Sequence, residues 1–344
     1  MHLVLINLKK FLKFPIIRNA IVESQNIFLI MKNNITNLVT GGAGFLGSHL
    51  IDNLMKSGEK VICIDNYISG NVKNIMRWET HPNFKLIKHD IINPISLDVN
   101  KIWHFACPAS PLTFDKNPIK ISKTNFLGTL NMLELARKVN ARILIASSSA
   151  IYGDPEIHPQ VESYNGSVNS FGMRSCYEEG KRITETLCFD YQRIYNSDIR
   201  IARIFNTYGP RMNPKDGRVV SNFIFQSLMN QDLTIYGNGS QTRSLCFVDD
   251  MINGLSALMN SNYSKPLNLG TTDEYKIIDL AYLIRNKINS SLKMTFKNLP
   301  CNDPLRRRPC IDRAKKELNW EPKIALNIGL GKTIKYFRSI INEL

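Results

Sequence analysis

From residue 34 onward, short apolar runs alternate with stretches of helical period, the pattern of a parallel sheet covered by helices on both faces. The runs at 35–39, 60–65, 84–89, 101–106, 141–147 and 199–205 read as strands, and 45–57, 121–138 and 175–195 as helices. Past Asn206 the punctuation changes: Gly209, Pro210, Pro214 and Gly217 crowd together and the later strands are short. The pattern predicts an α/β fold. A doubly wound parallel sheet is expected over 34–205, with 240–262 packing back onto it, and a smaller C-terminal α/β substrate domain over 206–340. Residues 1–33 break the pattern, mixing apolar stretches with Lys9, Lys10, Lys13 and Arg18. They read as a loosely ordered extension, with Met31 an alternative start.

Composition narrows the class. At 344 residues with 43% apolar content the chain can bury a full core. Seven cysteines stand singly, and the six histidines show neither HxH nor HExxH spacing. Free thiols in a reducing, cytoplasmic setting are therefore expected, and no metal site. No uncharged stretch in 1–33 reaches the roughly 20 residues of a membrane-spanning helix, and no long apolar run there ends in a small-residue cleavage site. The formal net charge of +15 suits an anionic partner. Its Lys and Arg residues are scattered, and the densest run, Arg306, Arg307 and Arg308, is short and flanked by Pro304 and Pro309. Specific nucleic-acid binding is not expected.

Candidate chemistry begins between the first strand and the first helix. The segment Thr40-Gly41-Gly42-Ala43-Gly44-Phe45-Leu46-Gly47 places Gly41, Gly44, Phe45, Leu46 and Gly47 where backbone N–H groups and a helix N-terminus can face a pyrophosphate. This is the arrangement of a Rossmann-type dinucleotide site. Asp65 ends the second strand 18 residues after Gly47, placed to accept both ribose hydroxyls and repel a 2′-phosphate, which favours NAD over NADP. Asn66 after it is a further cofactor-binding candidate, and the alternative role of Asp65 is to cap the turn before Asn66. Asp90 and Ile91, at the end of the third strand, are placed for the adenine.

In Tyr177-Glu178-Glu179-Gly180-Lys181 the tyrosine and lysine share one helix face, where an ammonium favours a tyrosinate able to take a proton from a hydroxyl. With twelve tyrosines in a lysine-rich chain such a pairing arises readily by chance, so its position carries the weight. It follows the strand that ends in Ser147, Ser148 and Ser149, hydroxyls at the C-terminal edge of the sheet. Ser148 is the candidate beside the nicotinamide, or else it caps the next segment.

The Gly41, Gly44, Gly47 spacing together with this YxxxK resembles the extended short-chain dehydrogenase/reductase family. Within it, Ala106-Cys107-Pro108-Ala109-Ser110-Pro111, Arg174-Ser175-Cys176-Tyr177 and Asn206-Thr207-Tyr208-Gly209-Pro210-Arg211-Met212 resemble the UDP-glucuronate decarboxylases, as do segments 216–224, 236–243 and 303–309. A UDP-sugar acid carries a diphosphate and a carboxylate, which suit arginine forks and amide donors. The resemblance implies that Asn206, Arg243 and Arg307 hold the diphosphate or the sugar acid, that Tyr236 and Lys123 also serve the substrate, and that Arg218 lies near the NAD and the uridine.

It also implies the reaction. Tyr177 takes the C4 hydroxyl proton while tightly bound NAD oxidises C4, the resulting β-keto acid loses carbon dioxide, and reduction at C4 gives UDP-xylose with the cofactor regenerated. Ser148 would bond the reacting oxygen and Lys181 the ribose. The chain departs from the family two residues after Ser148, where Ala150 stands in place of Glu. A positioned acid or base contributes about 10²- to 10⁴-fold, so slow turnover is expected, with a water in the vacated space as a partial substitute. The alternatives are a UDP-sugar 4-epimerase and a catalytically silent protein that binds NAD or RNA. The resemblance further implies a homodimer formed through a helix bundle, for which 121–138 and 175–195 are the candidate helices.

Overall fold

The computed structural model describes residues 35–299 and 304–341; the expected extension at 1–33 and the alternative start at Met31 lie outside them. Seven strands form one parallel sheet: β1 (Thr36–Thr40), β2 (Lys60–Asp65), β3 (Phe84–Lys88), β4 (Lys101–His104), β5 (Arg142–Ser148), β6 (Ile199–Ile204) and β7 (Pro266–Leu269). Their order is β7-β6-β5-β4-β1-β2-β3, and every neighbouring pair is parallel. The chain winds outward from β1 to β3, then returns past β1 to β4. The crevice beyond the carboxyl ends of β1 and β4 is thus the point where the winding reverses, the place where such sheets bind ligands.

The strand period of two sorts side chains between two cores. Leu38, Ile102, Ile143, Ile145 and Ile201 join Met132, Leu133 and Cys188 on one side, beneath the helices Thr129–Val139 and Ser175–Tyr195. Val39, Trp103, Leu144 and Ala202 join Leu50, Ile51, Met251 and Leu255 on the other, beneath Phe45–Lys56 and Val248–Asn260. Burying a strand on both faces requires the near-continuous apolar runs that the sequence carries.

Two features differ from the sequence pattern. The hydrophobic pattern does not mark β7, because Pro266-Leu267-Asn268-Leu269 is too short to show a period; it forms by lying parallel to β6, with Pro266 opposite Ile201. The helix expected over 121–138 is divided into Pro118–Lys123, a π-helical Thr124–Gly128 and Thr129–Val139. Side chains inside it bond carbonyls one turn back, Thr124 Oγ1 to Lys120 at 2.8 Å and Asn125 Nδ2 to Ile121 at 3.1 Å, which competes with regular helical bonding.

Beyond β6, Leu233–Tyr236 pairs with Met294–Lys297, and Thr242–Ser244 lies between Glu274–Lys276 and Arg306–Arg307. The helices Val219–Leu228 and Ile277–Ile288 pack together beside these short strands.

Candidate active site

The crevice opens into a cavity of about 1600 Å³. At one end lies the glycine turn. Gly41 has φ +69°, and a Cβ there would meet the Ala106 backbone at 2.9 Å, so the loops after β1 and β4 touch and only glycine fits between them. A Cβ on Gly47 would fall 2.3 Å from the Gly41 carbonyl oxygen. The Phe45–Lys56 helix therefore starts hard against the turn, with no side-chain cap and no acid in its first turn. Gly41, Gly44, Phe45, Leu46 and Gly47 all line the cavity, and the uncapped N–H groups suit an anionic diphosphate.

Asp65, 7% exposed, lines the cavity and also holds the turn: one carboxylate oxygen accepts the Ala43 N–H at 2.9 Å, the other the Tyr67 N–H at 2.8 Å. Burial pushes its carboxyl upward, partly offset by the N–H donors of Tyr67, Ala43 and Asn66. Asn66 and Ile91 line the cavity as well. Asp90 does not; its carboxylate pairs with Lys120 and accepts the Ile92 N–H at 3.2 Å. Burial alone would raise the Asp90 carboxyl, but the Lys120 ammonium, with help from Ile92 and Asn66, holds it below its ordinary value.

Ser148, Tyr177 and Lys181 line the middle of the cavity. Ser148 closes β5, and its Oγ accepts the Ala150 N–H at 3.1 Å, capping the short 3-10 turn Ser149–Tyr152. Ser147 is committed elsewhere, its hydroxyl donating to Glu185 at 2.5 Å. Tyr177 is 8% exposed. Lys181 lies one turn on, with Nζ 5.8 Å from the Tyr177 ring centre and donating to the Ala146 carbonyl at 2.8 Å. Ala150 is 1% exposed and packs in a cluster with Phe114, Ile121 and Tyr177.

At the far end, Asn206, Arg218, Tyr236, Arg243 and Arg307 line the cavity. Arg243 and Arg307 are opposite residues of two parallel strands, so strand pairing brings the two arginines together at the cavity wall. Arg307 is buried and donates to the Gly153 carbonyl at 3.1 Å; Arg243 donates to the Thr242 carbonyl at 2.8 Å. Arg218 donates to the Ala109 carbonyl at 3.0 Å. Lys123, expected on the substrate side, is exposed and does not line the cavity, because its helix turns it outward.

Residues 38–333 match the family described as GDP-mannose 4,6 dehydratase. The chain is 52% identical over 311 residues to UDP-glucuronic acid decarboxylase 1 of Xenopus tropicalis, covering 90% of this chain and 74% of that one. It is 51% identical over 310 residues to UDP-glucuronic acid decarboxylase 3 of Arabidopsis thaliana, covering 90% and 91%. The chain belongs to the UDP-glucuronic acid decarboxylase family of extended short-chain dehydrogenases/reductases. Among solved structures, a UDP-glucuronic acid 4-epimerase from Bacillus cereus, in complex with UDP-glucuronic acid and NAD, superposes with a TM-score of 0.82 at 27% identity, covering 89% of this chain and all of that one.

Three cavity residues had no role in the sequence reading. Phe114 and Arg174 stand beside Tyr177, and Arg211 reaches across to Asp52 of the cofactor-side helix, which also accepts from Trp78 at 2.8 Å. Arg174 and Arg211 sit inside segments that carry the family resemblance, which was a usable signal; Phe114 has no local one. Among the described residues no cluster of His, Cys, Asp and Glu could hold a metal, and no helix is long and apolar enough to cross a membrane.

Proposed function

We propose that this chain converts UDP-glucuronate to UDP-xylose and carbon dioxide, retaining its NAD through the turnover. The observation that carries this reading is the 52% identity over 90% of the chain to a UDP-glucuronic acid decarboxylase. The cavity supports it by joining a dinucleotide cradle, a Ser148–Tyr177–Lys181 set and an arginine pair in one space.

Gly41, Gly44, Phe45, Leu46 and Gly47 would hold the NAD diphosphate, Asp65 and Asn66 the adenosine ribose, and Lys181 the nicotinamide ribose. Bound NAD supplies the oxidation of the C4 alcohol to a ketone and the reduction that reverses it. Tyr177 accepts the C4 hydroxyl proton and later returns it, and Ser148 donates to the C4 oxygen. With C4 as a ketone, the C6 carboxylate is β to a carbonyl that can take up the electrons left when carbon dioxide departs, and the resulting enolate takes a proton from water at C5 before C4 is reduced. Arg243 and Arg307 hold the diphosphate or the sugar acid, with Asn206 and Tyr236 beside them and Arg218 closing the uridine end. Ile91 lies at the adenine end with Asp90, paired to Lys120, beside it, and Lys123 stands outside the cavity.

Among the described residues that line the cavity, Asp65 and Asp216 are the carboxylates. Asp65 is engaged by the glycine turn, and Asp216 accepts the Ser221 hydroxyl at 2.6 Å and the Arg218 N–H at 3.0 Å. With Ala150 beside Tyr177, no side-chain acid among the described residues lines the cavity next to the phenol. This supports the expectation of slow turnover.

Two copies are proposed to pair through the helical stretch 121–138 and the helix Ser175–Tyr195, which pack on each other and leave Phe126, Phe189 and Ile194 exposed. A cytoplasmic, reducing setting fits the six free cysteines among the described residues. Purified protein incubated with UDP-glucuronate and no added cofactor should release UDP-xylose and carbon dioxide. UDP-galacturonate as sole product would replace decarboxylation by epimerisation, and no turnover alongside salt-dependent RNA retention would favour a silent binding protein.

A further inference from the structure

Tyr177 is one layer of a stack. The Phe114 ring lies 5.0 Å from it, centre to centre, at an interplanar angle of 20°. The Arg174 guanidinium stands 5.6 Å from the Phe114 ring centre, and its Nε donates to Glu178 at 3.0 Å. Arg174 is thereby tied to the residue that follows Tyr177. Phe114, Ile121, Ala150 and Tyr177 make one small buried cluster, separate from the two main cores.

Phe114 comes from the short Pro111–Lys116 helix, in the segment that leaves the sheet after β4. This segment is fastened across the cavity to residues 216–218. Ser110 Oγ donates to the Asp216 carbonyl at 2.5 Å, and Arg218 donates to the Ala109 carbonyl at 3.0 Å. Gly217 has φ +80°, and a Cβ there would meet the Leu112 side chain at 2.9 Å, so the two loops are in close contact.

We propose that Phe114 is a positioning residue for Tyr177, held against the phenol by the clasp between residues 109–112 and 216–218. The ring separation and tilt are those of a favourable aromatic pair, and the Arg174 contact adds a cation–π attraction that keeps Phe114 in place. A phenol on a helix can turn about two side-chain torsions. The first swings the hydroxyl through space, whereas the second only spins the ring about the axis that carries the oxygen; a ring packed face to face blocks the swing. Phe114 also covers one face of the phenol. A general base displaced by about 1 Å loses rate on the order of 10²-fold, which gives the stack a kinetic consequence beyond packing.

The proposal rests on the reading of Tyr177 as the base. Its test is steady-state turnover of UDP-glucuronate by the full-length protein and by Phe114→Leu, Phe114→Ala and Phe114→Tyr, with kcat, KM and the pH profile of kcat measured for each. Phe114→Leu and Phe114→Ala should lower kcat roughly 10- to 100-fold, with KM changed by less than about threefold. They should also move the limb of the profile that reports the base. Phe114→Tyr, which keeps the ring, should restore both. Phe114→Leu preserves apolar volume, so it carries the test if the alanine variant does not fold. Full kcat in Phe114→Leu, a raised KM with kcat intact, or a lost kcat with an unmoved profile that Phe114→Tyr does not restore would each overturn the positioning role. Wild-type protein inactive on UDP-glucuronate would overturn the functional reading, and this inference with it.

Discussion

A single methyl group at residue 47 tests whether the glycine turn is the cofactor cradle. In Gly47→Ala the new Cβ would stand 2.3 Å from the Gly41 carbonyl oxygen, 2.8 Å from Gly42 Cα and 3.0 Å from the Gly41 carbonyl carbon. Comfortable contacts between carbon atoms begin near about 3.5 Å, so the helix start must retreat from the turn by on the order of 1 Å. All three obstacles are backbone atoms, and no rotamer change relieves them. Overpacking of this kind costs about 1–3 kcal/mol, and the retreat pulls apart the N–H groups that must converge on one diphosphate. If that energy falls on binding, NAD affinity drops by roughly 5- to 150-fold. The matched control is Gly331→Ala, in the interior of the Leu326–Ile340 helix, where an added Cβ meets nothing within 4 Å. There alanine should stabilise by about 0.5–1 kcal/mol. The assay pairs calorimetric NAD titration of cofactor-stripped protein with thermal melts. Gly47→Ala should lose affinity while Gly331→Ala keeps it and melts higher; Gly47→Ala binding NAD as wild type does would refute the cradle.

Tyr177→Phe should keep NAD and UDP-glucuronate binding and lose turnover by about 10²-fold or more; retention of wild-type kcat would remove Tyr177 from the chemistry. Ala150→Glu should raise the decarboxylation rate, on the order of 10²-fold, while lowering the melting temperature because a carboxyl enters an apolar cluster. An unchanged or slower rate would mean that the site is organised around alanine. His104 is buried between Thr40 at 2.9 Å and Thr129 at 3.3 Å, and burial, then the Lys181 charge, drives its pKa down to about 3. The folded state holds this imidazole neutral while the unfolded chain protonates it near its ordinary 6.5. Its contribution is therefore complete above that value and is lost as pH falls toward 3, by roughly 1.4 kcal/mol per pH unit. Denaturant melts at about pH 7 and pH 5 should show a shallower loss in His104→Asn; equal losses would exclude the histidine as the source.

What neighbours along the chain determine was legible without coordinates. The strand periods, the helix over Ser175–Tyr195 and the glycine turn each depend on residues a few positions apart, and backbone geometry there leaves little choice of side chain. Tyr177 and Lys181 share a face because a helix turn makes them share it. The resemblance added Arg243 and Arg307 as separate candidates; only the pairing of two strands far apart in sequence made them adjacent. β7 is defined by its partner β6 and not by its own four residues. Asp90 and Lys123 carry suitable chemistry, yet the fold gives one to Lys120 and turns the other to solvent. Phe114 has no local mark at all. It meets Tyr177 because two loops close across the cavity, and which loops close is settled by tertiary packing rather than by the order of residues within either one.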